Sequence, residues 1–405
     1  MGSSRIDSWF AGFQLNKETS CCIVCRSMGS DFLAPWNLQQ AGKTARIGGR
    51  LETAPHGQLR SARARLGFPV KVLGQPGLKS NDSRRWQSGP HLRVSIDYLH
   101  AIFTYLEKSN IRMYRMSSDV APYITHPDLP QFHGQVAESH SELTELGRRA
   151  NQIGLRLSFH PSQFIVMNAP DSRLRRQSVK DLAFQAEILD RMNLGPEAVI
   201  VIHVGGSYDD KSAAIDRWVA CYRNLPESAR RRLVLENDDV RFSAADVWNI
   251  HERTGVPLVF DMQHHQCLNP ERMPWRPTLE RFLRTWPERV RPKIHYSSPR
   301  TQMREAVRVN RKTGEKQTFL RSPTWTGHAD YIHPFDFIRF AAETRDLDFD
   351  IMLEAKAKDL ALLRLRQDII CYALELQDTF EAIGAYKAIS NVEIPVTAIE
   401  NIASS

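Results

Sequence analysis

The chain has 405 residues, 25% of them charged and 42% hydrophobic, an ordinary globular balance. It holds no run of about 18 apolar residues, which excludes a membrane-spanning helix, and its first residues lack the continuous apolar core of a signal peptide. The net charge of +8 favours an anionic partner, nucleic acid first.

In chain order, residues 1–62 show no sustained periodicity, and the Gly-, Ala- and Arg-rich stretch from Ala41 to Arg65 reads as part of a poorly ordered basic leader. Cys21, Cys22 and Cys25 cluster there as CCIVC with no second ligand pair nearby, so a reduced protein is expected rather than a zinc site. From residue 65 short β-rich runs alternate with amphipathic segments. The runs are RLGFPVKVL (65–73), IRMYRMSS (111–118), LRLSFHP (155–161), AVIVIHVGG (198–206), RRLVLEND (231–238), PLVFDMQHH (257–265), PKIHYSS (292–298) and DIMLEAK (350–356). Helical patterns such as SELTELGRRANQIG, SVKDLAFQAEILDRM, SAADVWNIHERTG and HPFDFIRFAAET separate them. Eight such units over 63–375 predict a (β/α)8 TIM barrel, followed by a tail over 376–405. An open doubly wound sheet would usually use fewer strands, and no Gly-rich dinucleotide fingerprint follows the first run. One long interruption, residues 299–327, is rich in Arg and Lys and reads as a functional loop.

Chemistry in a barrel sits at the C-terminal ends of its strands. Those ends carry His160, His203, Glu236, Asp261 with His264 and His265, Lys293 with His295, and Glu354, while His328 stands in the loop after the seventh run. Any one of them has an ordinary structural explanation: a hydrogen-bonded core histidine, a helix cap, a turn carboxylate. Together they crowd imidazoles and carboxylates at one rim, which is costly unless cations pair them. That many ligands implies two or three metal ions. Nitrogen and oxygen donors without thiolate suit Mn²⁺ or Zn²⁺, with Mg²⁺ less favoured by the histidines. Such a site hydrolyses or isomerises, and with a basic chain the favoured substrate is a nucleic-acid phosphodiester. A metal-dependent sugar isomerase or epimerase on the same barrel is the rival reading.

The motifs RLGF, SFHPSQF, VIHVGG, LVLENDD, LVFDMQHH, KIHYSS, GHADYI and LEAKAKD occur in that order over roughly residues 65–360. Together they resemble the UV damage endonuclease family, TIM-barrel enzymes that nick DNA immediately 5′ of UV photoproducts and some other lesions. The resemblance implies a three-metal site, usually manganese, held by His160, His203, Glu236, Asp261, His264, His295, His328 and Glu354. It implies that Gln163 and Phe164 wedge into the duplex, that Phe68 on the first strand probes the lesion, and that His126 stands near it. Phe164 and Phe68 replace the family's usual tyrosines. The expected partner is damaged double-stranded DNA, bound by a monomer in the cytoplasm (at the nucleoid in a prokaryote).

Lys293 and His295 share one face of the seventh run, where two cations would repel. A buried lysine readily loses its proton. The neutral amine can then capture carbon dioxide as a carbamate, an anionic metal ligand, and the family resemblance implies a carboxylated lysine at Lys293.

Overall fold

The computed structural model describes residues 63–310 and 313–383. The basic leader and the CCIVC cluster therefore lie outside the described residues.

Eight short strands pair in parallel. They are β1 (Leu66–Pro69), β2 (Met113–Arg115), β3 (Arg156–Phe159), β4 (Val199–Ile202), β5 (Leu233–Glu236), β6 (Leu258–Val259), β7 (Lys293–Tyr296) and, after an inserted hairpin of β8 (Arg304–Val309) and β9 (Lys316–Arg321), β10 (Asp350–Leu353). The ladder runs β6-β5-β4-β3-β2-β1-β10-β7. A parallel bridge between Asp261 and His295 joins its two ends, with the His295 amide donating to the Phe260 carbonyl at 3.0 Å. The sheet thus closes into the expected (β/α)8 barrel, with a helix or helical segment following each strand.

Side chains alternate along a strand, and this sequence uses the two faces differently. Phe68, Tyr114, Leu157, Phe159, Ile200, Leu235, Phe260, Ile294 and Ile351 belong to one buried apolar layer that also contains helix residues such as Leu99, Leu146, Leu182, Trp218 and Leu365. Burying each large apolar side chain contributes about 1.5–3 kcal/mol. The alternate residues fill the lumen. Val199, Val201, Val234 and Val259 form one wall of it with Trp286 and Val290. Gly67 is required where β1 meets β2, since a Cβ there would lie 2.7 Å from Met113 Cγ.

The lumen is layered along its axis. At the N-terminal end, Asp350 accepts from Arg156 at 2.8 Å and Arg65 at 3.1 Å. Arg156 also sits over the Trp286 ring, 5.8 Å from its centroid. In the middle lies Lys293, fully buried, its Nζ donating to Ser158 Oγ at 3.1 Å. The C-terminal end carries the histidines and carboxylates.

Three expectations are corrected in detail. The sixth run does not continue as a strand to residue 265: Asp261 caps a helix, Met262–Cys267, and accepts from the His264 amide at 2.8 Å. The 299–327 interruption is not an irregular loop but carries the β8–β9 hairpin. The packed chain continues past residue 375, since the backbone of Ala64 pairs with Phe380, and Phe380 and Ile383 are buried.

Candidate metal centre

The two-residue alternation that sends valines into the lumen also aims the polar residues at strand ends. Val201 is followed two positions later by His203, Val234 by Glu236, Val259 by Asp261, Lys293 by His295 and Met352 by Glu354. Glu236 is the hub. Its Oε2 lies 3.1 Å from His160 Nε2 and 3.7 Å from His203 Nε2, and its Oε1 lies 2.9 Å from His295 Nδ1 and 3.4 Å from His264 Nδ1. Glu354 Oε1 lies 3.4 Å from His295 Nδ1 and its Oε2 3.7 Å from His328 Nδ1, and Arg115 also bonds to this carboxylate. The imidazole planes are tilted against one another, with His203 and His264 ring centroids 5.5 Å apart and His264 and His328 6.1 Å apart.

Three sets of donor atoms lie close enough to share an ion: His160, His203 and Glu236; His160, His295 and Glu354; and Glu236, Asp261 and His264. All eight residues expected as ligands therefore stand at one rim, with His328 joining through Glu354. The arrangement calls for cations on electrostatic grounds. His160 Nδ1 donates to the Pro161 carbonyl at 3.2 Å, so in the neutral ring Nε2 is an acceptor. Burial lowers the His160 pKa and favours that neutral form, although Glu236 opposes the shift. Burial works to raise the Glu236 carboxyl, yet His295 and His203 hold it well below the usual carboxylate range. Two acceptors then face each other at 3.1 Å, a contact that a positive ion between or beside them relieves. His203 Nδ1, Asp261 Oδ2 and His295 Nε2 are moreover buried without a hydrogen-bond partner. The donor set and these orphaned atoms fit divalent metal.

The surrounding residues orient the ligands, as the partners of a metal site must. Asn237 Oδ1 accepts from the Asp261 amide at 3.0 Å, and its Nδ2 donates to the Asp261 carbonyl at 3.1 Å. The Asn237 carbonyl accepts from His264 Nδ1 at 2.9 Å, which leaves Nε2 of that ring free for an ion. Although burial opposes it, the charges of Asp261, Glu236 and Glu354 push His264 up to about 10 in the absence of ions. Burial holds Lys293 well below its ordinary value, and the nearby Arg156 and Arg115 lower it further. Sequence reasoning missed Arg115, Ser158 and Asn237; Ser158 and Asn237 stand within the SFHPSQF and LVLENDD motifs, but none of the three is a metal-ligand residue type.

The expected DNA-facing residues divide. Gln163 is exposed and Phe164 is 78% exposed. Both line a cavity of about 530 Å³ shared with His160, His203, Tyr208 and His264. His126 is exposed in the loop after β2, where its carbonyl accepts from His133 Nε2 at 2.9 Å. Phe68 is a correction. It has no exposure, lies on the helix-packed side of β1 and meets Tyr114 edge-on at 5.5 Å. Its ring could reach a base only if the core opened. His265 also turns away from the rim and donates from Nε2 to the Met273 carbonyl at 3.0 Å.

Fold and rim together define the class: a (β/α)8-barrel enzyme with a histidine and carboxylate set of metal-binding type. The chain belongs to the UV-endonuclease UvdE family, whose model matches residues 93–383, and it is a DNA repair endonuclease. The match begins within the helix Leu92–Lys108, so the RLGF motif of β1 lies before it. The chain is similar to the UV DNA damage endonuclease of Bacillus velezensis, 34% identical over 269 residues, covering 65% of this chain and 77% of the relative. It is similar as well to the enzyme of that name from Bacillus cereus strain G9842, 30% identical over 282 residues, covering 69% and 81% respectively. The crystal structure of SacUVDE superposes with a TM-score of 0.62 at 29% identity, over 76% of this chain and 98% of SacUVDE.

Proposed function

We propose that this enzyme nicks duplex DNA immediately 5′ of UV photoproducts, and also at abasic sites, leaving a 3′-hydroxyl and a 5′-phosphate. The observation that carries the reading is the Gln163–Phe164 turn. It exposes an aromatic ring to solvent one turn after His160, in the same cavity as the ligand set. What distinguishes Phe164 from the other exposed apolar side chains is its place, in the wall of the cavity that also holds His160, His203 and His264. Beside a nuclease centre it can fill the stack left by an extruded nucleotide. A damaged pair stacks poorly and is cheaper to extrude, so the wedge selects for damage.

His160, His203, Glu236, Asp261, His264, His295, His328 and Glu354 would hold a cluster of divalent ions, Mn²⁺ in first place, with Zn²⁺ or Mg²⁺ as substitutes. Such ions supply an acidified water and neutralise charge on the phosphodiester. Glu236, with contacts from four imidazoles, would bridge them, His203 would orient the reacting end of the site, and Arg115 holds Glu354 in place. Lys293 would act as its carbamate. The amine nitrogen bonds to the carbon of carbon dioxide, one proton is released, and the product is a carboxylate aimed at the cluster. Gln163, Phe164 and His126 would meet the damaged duplex, bound by a monomer. Among the described residues no helix is long and apolar enough to cross a membrane.

The test is a duplex oligonucleotide with one cyclobutane dimer, labelled on the damaged strand and incubated with Mn²⁺. Cleavage at the first phosphodiester 5′ of the dimer, with a 3′ end that a polymerase extends, is the expected product. Cleavage elsewhere, or a blocked 3′ end, contradicts the assignment.

A further inference from the structure

A second cavity, of about 550 Å³, opens between the loop that follows β1 and the start of the helix Lys358–Tyr372. Lys71, Lys79, Lys356 and Lys358 line it, with Ser80 and Asn81. We propose that this cavity is a phosphate subsite that grips the backbone of the damaged strand beside the metal centre. The inference rests on the nuclease reading of that centre and adds to it a specific place for the substrate's charge.

Four ammonium groups around one concavity repel each other, so something must offset them. The protein does so only in part, through the Tyr98 ring, whose centroid lies 5.5 Å from Lys79 Nζ, and through the more distant carboxylates of Asp330 and Glu354. Among the described residues the only lysine in an ion pair is Lys211, with Asp246 at 2.8 Å. Asp359, next in sequence to Lys358, is already engaged by the amides of Leu73 at 2.7 Å and Gly74 at 2.9 Å and by the Tyr105 hydroxyl at 2.6 Å.

Strain points to the same place. Val70 (φ 64°) and Lys358 (φ 53°) both lie in the left-handed region, and both line this cavity. A β-branched residue there is an outlier, and strained backbone clusters at functional sites. Val70 is pinned by its amide donating to the Arg115 carbonyl at 2.8 Å and its carbonyl accepting from the Tyr114 hydroxyl at 2.5 Å. Arg115 in turn bonds to Glu354, and Lys356 follows Glu354 by two residues. The cavity and the metal rim therefore share a wall. Burial, with Arg115 nearby, pushes Lys358 down to about 8, a shift that a bound anion would reverse. Phosphate suits such a site because its oxygens can each take an ammonium donor.

The test measures binding of a dimer-containing duplex by fluorescence anisotropy across a salt series, with EDTA present, so that it does not depend on nicking. The full chain is compared with Lys71→Gln/Lys358→Gln and with Lys108→Gln/Lys180→Gln, which removes the same charge from exposed helix positions elsewhere. The cavity variant is expected to weaken Kd about tenfold and to flatten the slope of log Kd on log salt by roughly one to two, with the control within about twofold of the unaltered chain. Lys→Arg at both positions should restore most of the loss. Lys71→Gln alone, at an exposed position, should still weaken Kd about threefold and keeps the result readable if the double variant unfolds. Equal effects from cavity and control variants would overturn the inference. Failure of the unaltered chain to nick irradiated DNA would instead remove the nuclease reading and leave the binding result standing.

Discussion

Asn237 shows how a residue with no chemistry of its own sets the site. Its side chain bonds both the amide and the carbonyl of Asp261, and its own carbonyl fixes the tautomer of His264. Both neighbours belong to one candidate ion set with Glu236. Removing such an outer partner typically costs about 10–100-fold in metal affinity. Asn237→Ala should therefore weaken Mn²⁺ binding by about that factor, read by titration calorimetry, while the far-ultraviolet circular dichroism stays unchanged. Unaltered Mn²⁺ affinity would show that Asp261 needs no such positioning. The candidate ligands were legible because strand ends and residue type together point to them. Asn237 and Arg115 were not: the first stands beside Glu236 in LVLENDD but is no ligand type itself, and the second reaches Glu354 across 239 positions of sequence. Phe68 was misplaced for a similar reason, since the side to which its ring points follows from strand phase rather than from the RLGF motif.

At the scale of elements, the buried strands were readable because both of their faces are apolar or functional. The hairpin was not. Cross-strand partners share a face, and the register pairs Arg304 with Arg321, Ala306 with Phe319 and Arg308 with Gln317 on one side. Glu305 with Leu320, Val307 with Thr318 and Val309 with Lys316 make the other. The second strand is exposed throughout and most of the first is too, so burial imposes no apolar alternation for the eye to find. The hairpin stands on a narrow base where the Arg300 amide donates to the Gly327 carbonyl at 2.7 Å and the Ala329 amide to the Ser298 carbonyl at 2.8 Å. Replacing residues 304–321 by a short Gly-Ser linker should leave the melting temperature of the barrel within a few degrees. Because three arginines line one face, the salt slope of DNA binding should flatten by about three. An unchanged slope would mean that the duplex does not touch this arm. The short helix after β6 escaped for another reason: Asp261 is both a strand end and a helix cap, and the cap turns His264 towards the rim and His265 away from it.

At the scale of the whole molecule, the barrel is graded along its axis. Ion pairs around Asp350 occupy the N-terminal end, Lys293 lies in the middle, and acceptor-rich ligands gather at the C-terminal mouth. The fold class and the rim of eight candidate ligands were legible in the sequence because strand–helix units repeat eight times and six successive barrel strands end in a histidine or carboxylate. The lysine cavity did not, because it joins two loops nearly 300 positions apart. With a net charge of +8, the chain carries its surplus towards a polyanion. The central claim is that the rim is a metal centre for hydrolysing damaged DNA. Its most direct test is nicking of irradiated and unirradiated supercoiled plasmid in Mn²⁺ by the unaltered chain and by Glu236→Gln. The expected result is nicking confined to irradiated plasmid and lowered by about a thousandfold or more in the variant, the scale lost when a group central to charge stabilisation is removed. Undiminished nicking by Glu236→Gln, or equal nicking of both plasmids, would contradict it.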